Sequence, residues 1–322
     1  MLLIGSDDGL YRMTDFDGSE PNVTRVYETG RVRRIRTFEG LAGVFAATET
    51  GLYHSHDGAG WTRLDVPREK VYAVGASPAG DRLYAGTRPA HLYVARTDGG
   101  VGAGKDLTWE ELDGFQDLPS RDEWRLPRHE NLAQVRDVHV HPETPDRVVA
   151  GVEVGGVHVS EDGGETWSER RDGVDGDIHE LHLLGPDEFV AATGFGLYRT
   201  TDAGHSWTRL DAEYEQRYFR TVFSVDGVVY AGGALANSST WNEPEADPEL
   251  FVTQNGESIE PVDHLRPDET VTGLTAIDGS VAAATHRGTV MVHETDGWTV
   301  AGNFPVPDEV TGRYNPLLWV ES

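Results

Sequence analysis

Ser160-Glu161-Asp162-Gly163-Gly164-Glu165-Thr166-Trp167 is answered forty residues later by Thr200-Thr201-Asp202-Ala203-Gly204-His205-Ser206-Trp207. Both read hydroxyl, Asp, Gly, hydroxyl, Trp at one spacing. An Asp beside a Gly suits a tight turn, because the carboxylate accepts backbone N–H groups and Gly takes the positive φ that other residues resist. The Trp then buries its ring beside the turn with its N–H in reach of a partner. Each copy therefore predicts a folding staple, built on Ser160, Asp162, Gly164 and Trp167 and again on Thr200, Asp202, Gly204 and Trp207.

Outward from these two boxes lies a longer repeat. An apolar strand is followed by a Gly-Leu-Tyr-like strand, the box, and Trp-x-x-Leu. The Gly-Leu-Tyr element begins at Gly9, Gly51, His91, Gly156, Gly196, Glu249 and Gly288. Box positions begin at Met13, Ser55, Arg96, Ser160, Thr200, Thr253 and His293, at intervals of 40 to 64 residues. A base period near forty with two insertions matches one four-stranded propeller blade per repeat. Val135-Arg136-Asp137-Val138-His139-Val140-His141 alternates with period two, and no segment carries a helical period. The reading is an all-β, seven-bladed β-propeller in a single domain. Its approximate blades are 1–30 plus 314–320, 31–66, 67–113, 134–173, 174–211, 217–264 and 270–305. Leu2-Leu3-Ile4 already takes a second-strand role, so Asn315–Val320 is predicted to pair beside it as the innermost strand of blade 1 and close the ring.

The boxes and their spacing resemble the Asp-box, or BNR-repeat, β-propellers. That superfamily includes sialidases, sortilin-like receptor domains, xyloglucanases and photosystem II assembly factors. The resemblance implies the fold and leaves the function open, since one box serves enzymes, receptors and scaffolds. Sialidases carry an Arg-Ile-Pro motif on an early strand; here Arg34-Ile35-Arg36 stands without the Pro. Arg88, Arg220 and Arg287, with Tyr218 or Tyr314 and Glu153, are the residues from which a sialidase-like grip would have to be built.

Charge narrows the partners. Asp+Glu number 55 against 27 Lys+Arg, a formal net charge of −28, and Lys occurs at Lys70 and Lys105. The acids are spread among strand-like runs, which a disordered acidic chain would lack. This is a solvated carboxylate surface of the kind that works in high salt, and it resembles haloarchaeal cytosolic proteins. Nucleic acid and anionic lipid are not expected as partners. Arg31, Arg33, Arg34 and Arg36 form the one basic cluster, whose alternation suggests a strand edge or channel rim. There is no cysteine, so thiolate chemistry and disulfides are excluded. The N-terminus lacks a basic leader and no window reaches membrane-span length, so a cytoplasmic monomer without cofactor or metal is expected. His139 and His141 share a strand face but show no distinctive metal-ligand spacing.

Both insertions, 113–133 and 235–248, are predicted on the face opposite the boxes, roofing the channel mouth, and long loops in a repeat fold are more often functional than incidental. That face is expected to gather Glu49, Arg88, His91, Glu153, Phe195, Asn237, His286 and Arg287 from within blades. Connections between blades add Trp124, Arg128, His129, Asp177, His179, Tyr218, Arg220 and Tyr314. Glu153, Asp177 and His179 are the candidate acid–base residues; Trp124, Arg128, His129, Tyr218, Arg220, His286 and Arg287 are the candidate ligand contacts. The plain alternative for each is an exposed acid, an inter-blade hydrogen bond, or a counter-charge. The first functional expectation is a non-sialidase propeller binding a small polar or anionic ligand, or a protein partner, on the inserted face. The alternatives are a glycosidase-like hydrolase or lyase using Glu153 and Asp177, with Trp124 and Trp241 as sugar platforms, and an assembly-factor-like scaffold.

Overall fold

The computed structural model describes residues 1–16, 21–97, 100–102, 106–307 and 314–321; the side chain of His129 lies outside the described residues, as do Asp98 and Gly99 of the blade 3 box. Seven four-stranded antiparallel sheets form the chain. Blades 2 to 7 each take four consecutive strands, starting from inner strands Val32–Phe38, Val71–Ala76, Gln134–Val140, Ile178–Leu183, Tyr218–Val225 and Val271–Ile277. Blade 1 is completed by both ends of the chain. Leu317–Trp319 pairs with Leu2–Ser6 in the register Leu2 to Trp319 and Ile4 to Leu317, and Gly5 N–H donates to Pro316 O at 2.9 Å. The expected closure is what the structure has. Among the described residues helix is confined to Asp113–Gln116 and short 3-10 turns, all in the insertions.

Apolar residues that alternate along each strand meet between neighbouring blades, as in the cluster of Val190, Leu197, Phe219, Val222 and Phe251 from blades 5 and 6. The box turns hold the outer hairpins. Ser160 Oγ donates to Asp162 Oδ1 at 2.8 Å, and Asp162 accepts from Thr166 N–H at 2.8 Å and Thr166 Oγ1 at 2.6 Å. Thr200, Asp202 and Ser206 repeat these contacts at 2.7, 2.8 and 2.6 Å. Gly164 lies at φ +108°, and a Cβ there would meet Leu112 at 2.7 Å. Trp207 Nε1 donates to Arg170 O of the preceding blade at 2.9 Å, so this box also ties blades together. In blade 6 the same turn uses Asn255, which accepts from Glu257 N–H at 2.9 Å.

Candidate functional site

The inner strands of blades 2 to 7 share one irregularity. Each carries an extra residue near its start, at Arg33, Tyr72, Arg136, His179, Arg220 and Thr272, where the pairing register slips by one. A β-bulge of this kind breaks the alternation and re-aims a side chain. Here it turns four of these six residues, Arg33, Tyr72, Arg136 and Arg220, into one cavity at the channel mouth.

That cavity has a volume of about 550 Å³. Its cations are Arg31, Arg33, Lys70, Arg88, Arg128, Arg136 and Arg220; its carboxylates are Glu49 and Glu153. Both insertions reach it, one through Arg128 and the other through Asn237, Ser238 and Ser239. In a chain with net charge −28 this is a pronounced local reversal of sign.

Three guanidinium groups from alternate blades surround the ring of Tyr314, which leads into the closing strand. The guanidinium carbons of Arg220, Arg136 and Arg33 lie 3.7, 4.2 and 5.0 Å from its centroid. All three arginines are more than nine-tenths buried. Burial pulls the Arg136 guanidinium down to about 9, with neighbouring Arg33 and Arg220 pushing the same way against Glu153. Arg220 is lowered by burial and by Arg33. Like charges packed this closely disfavour one another; the Tyr314 ring face between them offsets part of that cost.

Glu153 is the counter-charge on the wall. It lies 3.3 Å from Arg136 Nη1 and 3.2 Å from Arg128 Nη2, and it accepts from Gln134 Nε2. Burial pushes its carboxyl up, but Arg136, His179, the Gln134 hydrogen bond and Arg220 together outweigh this and lower it to about 2. Asp177 pairs with Glu153 through a backbone bridge and takes the same Arg128 nitrogen at 3.3 Å. Burial, then the Glu153 charge, raises Asp177 to about 6. Two linked carboxyls are thus pushed in opposite directions, and Asp177 itself stands outside the cavity lining.

The remaining candidates lie outside the cavity lining. His179 is fully buried; its Nδ1–H donates to Phe219 O at 2.6 Å, its ring packs 4.6 Å from that of Tyr218, and burial together with Arg220 holds it well below its usual range. Trp124 does not line the cavity. It is 2% exposed, packed on Phe115 and His158, with Nε1 donating to Ser120 Oγ at 3.0 Å. Trp241 is equally buried, anchoring the blade 6 insertion by donating to Ala236 O at 3.1 Å, so neither Trp offers an open face to sugar. His286 accepts from Thr270 N–H at 3.0 Å beneath Trp241. Arg287 pairs with exposed Asp268 at 2.6 Å, away from the cavity. The converging trio is therefore Arg33, Arg136 and Arg220, in place of Arg88, Arg220 and Arg287. Arg34 and Arg36 lie deeper in the channel, where Arg36 reaches buried Asp137 at 2.6 Å and His139 at 2.9 Å. Among the described residues no group of three or more His, Asp or Glu could hold a metal ion, and no helix is long and apolar enough to cross a membrane.

No protein-family model and no curated protein matches the sequence. Solved structures do match the fold. The chain is similar to the GH74 enzyme of Niastella koreensis (TM-score 0.61, 13% identity, 84% of this chain and 45% of that one). It is similar to the GH74 xyloglucanase from Xanthomonas campestris (TM-score 0.59, 16% identity, 90% and 46%). The structure of YCF48 bound to D1 peptide is a third (TM-score 0.57, 16% identity, 84% and 81%). This is a likeness of propeller fold. The chain spans less than half the length of the two GH74 proteins.

Proposed function

We propose that this protein is a binding propeller that takes a small anionic ligand at the mouth of its channel on the inserted face, in a salt-rich cytoplasm. The observation that carries the reading is the convergence of seven cationic side chains on one cavity of a strongly acidic chain, in excess of its two lining carboxylates and of Asp7, Glu130 and Asp177, which pair with Arg31, Arg88 and Arg128 from outside the lining. Guanidinium forks suit carboxylate and phosphate oxygens. Low-dielectric walls make such contacts worth more than at an open surface. The test is isothermal titration of the full chain with phosphate, sulfate, citrate and neutral sugars at one fixed ionic strength. Binding of anions without binding of neutral sugars supports the reading; a sugar-only response sinks it.

A second reading, a glycosidase-like hydrolase or lyase, draws on the oppositely shifted Glu153 and Asp177, since an acid–base pair is recognised by such a split. Against it, Glu153 is engaged by Arg136, Gln134 and Arg128, and Asp177 opens on a neighbouring hollow beside Trp124 and Arg171, not on the cavity that Glu153 lines. A scaffold reading draws on the likeness to YCF48, whose structure holds a peptide. An acidic peptide segment entering the same basic mouth would fit that reading, and competition between such a peptide and phosphate would reveal it.

A further inference from the structure

Three donors in the cavity wall have no hydrogen-bond partner: Arg33 Nε, Arg136 Nη2 and Arg220 Nε, each on a side chain more than nine-tenths buried. Among the described residues Arg220 is in no ion pair at all; its contacts are Tyr314, Tyr218 and Trp241. Buried charged donors left unpaired are costly, and a cluster of them marks the place of a missing acceptor. The acceptor must be an oxyanion that reaches three forks at once. A phosphoryl group offers three oxygens and up to two negative charges.

One such group does not fill the site. The cavity volume of about 550 Å³ is that of a whole small-molecule pocket. Its cations continue up one wall to Lys70, Arg88 and Arg128, with Arg88 N–H bonded to Lys70 O at 3.0 Å and Arg88 paired to Glu130 at 3.1 Å beside Arg128. Both cavity carboxylates are already engaged, Glu49 by Arg33 at 2.6 Å and Glu153 by Arg136 and Arg128. Across from that wall, the blade 6 insertion presents the uncharged polar turn Asn237, Ser238 and Ser239. The aromatic rings in the lining are buried and packed, Tyr72 against Arg33 at 4.4 Å, Tyr314 against Arg220, and Tyr218 against the His179 ring. A nucleobase would find none to stack on.

We infer that the mouth is a two-point site for a small polyol carrying two phosphoryl groups, one seated on Arg33, Arg136 and Arg220 and the other on the Lys70, Arg88 and Arg128 wall. This rests on the anion-binding reading and narrows it. The hydroxyls of the frame face Asn237, Ser238 and Ser239, and the second phosphoryl group sits at Lys70, where it takes Arg88 and Arg128 in exchange for the carboxylates Glu130 and Asp177 that pair with them in the unliganded protein.

The experiment is calorimetric titration of the full chain, in KCl at fixed ionic strength, with inorganic phosphate, glucose 6-phosphate, fructose 1,6-bisphosphate, citrate and ADP. The bisphosphate is expected to bind about tenfold or more tighter than the monophosphate and than either citrate or ADP. Arg220→Gln should weaken both sugar phosphates by about tenfold. Lys70→Gln, at an exposed position with little bearing on folding, should weaken the bisphosphate more than the monophosphate and so shrink their ratio. Equal affinity for the two sugar phosphates, or tighter binding of citrate or ADP, overturns the two-phosphoryl assignment and leaves the anion reading standing. No binding of any anion by the folded protein overturns both.

Discussion

The guanidinium carbon of Arg220 sits 3.7 Å from the ring centroid of Tyr314, across 94 positions of sequence. Tyr314 opens the segment that closes the ring: Asn315 donates to Thr285 O at 2.7 Å and Leu317 pairs with Ile4. The candidate site and the closure of the propeller are therefore built on one stretch of chain. Tyr314→Ala should both destabilise the fold, by about 3 kcal/mol for a buried aromatic, and weaken anion binding. Leu317→Ala should cost about 2–4 kcal/mol with binding by the remaining folded protein unchanged, since Leu317 lines the deeper stretch of the channel and not the mouth cavity. Urea melts paired with titration separate the two effects.

Removal of residues 314–322 tests closure more severely. It leaves Leu2–Ser6 as an open edge and exposes Leu3 and Ile4, both fully buried in the ring. An open apolar edge invites pairing with other chains. The expected result is loss of the single cooperative transition together with aggregation on size-exclusion chromatography. A truncated protein that melts at the wild-type temperature would show that blade 1 does not need its inner strand.

The Asp boxes should behave as staples. Asp202, held first by Ser206 and also by Thr200, is lowered to about 2, against about 3.9 in an unfolded chain. Its contribution is therefore present above pH 4 and is lost as the pH falls toward 2. Asp202→Ala should cost about 1 kcal/mol at pH 7, the size of a lost exposed cap, and nothing further at pH 2. Asp162→Ala should match it, and neither should alter ligand binding.

Much of this architecture was legible in the sequence, because the features that fix it are local and repeated. The box residues and the Gly-Leu-Tyr element mark each blade by turn chemistry, and Leu2-Leu3-Ile4 pointed to the missing strand. The face of the site was legible too: Arg128, Glu153, Tyr218 and Arg220 come together there. Arg33 and Arg136 were missed as a pair, and a period-two reading could not find them, since a bulge at each of them breaks the alternation. The available signal was the repeat itself. Val32-Arg33-Arg34, Val135-Arg136-Asp137, Ile178-His179-Glu180 and Phe219-Arg220-Thr221 occupy equivalent positions, each an apolar residue followed by the bulged one. Trp124 and Trp241 misled for the opposite reason. Their place in exposed insertions suggested platforms, but a Trp in a loop is often what packs the loop down.

Glu153 and Asp177 should separate on mutation. Glu153→Gln removes the charge that compensates buried Arg136, so it should destabilise the unliganded protein by about 3 kcal/mol or more. By removing a negative charge from the wall it should also tighten anion binding. An acid–base enzyme would instead lose turnover with ligand affinity little changed.

For Asp177 the sign is the reverse of the usual carboxylate. Its folded value, raised to about 6, exceeds the unfolded value of about 3.9. The native state therefore holds the proton more tightly between pH 4 and 6, and stability falls as the pH rises through that window. Asp177→Asn should raise stability at pH 8 by about 1–2 kcal/mol, discounted for partial exposure, and leave it unchanged at pH 4. Urea melts at the two pH values, in constant KCl, decide this.

Salt should act on folding and on binding with opposite signs. The surface carries most of the 55 acidic residues, and their mutual repulsion is unscreened when salt is removed, the screening length being about 10 Å at 0.1 M and about 3 Å at 1 M. The melting temperature is therefore expected to fall as KCl is lowered from molar to 0.1 M. Anion binding at the mouth should strengthen over the same range, because fewer competing ions occupy the Lys70 and Arg128 rim. Arg33, Arg136 and Arg220 are buried, so their share of the affinity should change least, and Lys70→Gln should flatten the salt dependence of binding. Parallel thermal-shift and titration series against KCl would reveal both slopes; slopes of the same sign would mean that the ligand is held by something other than the charges of the mouth.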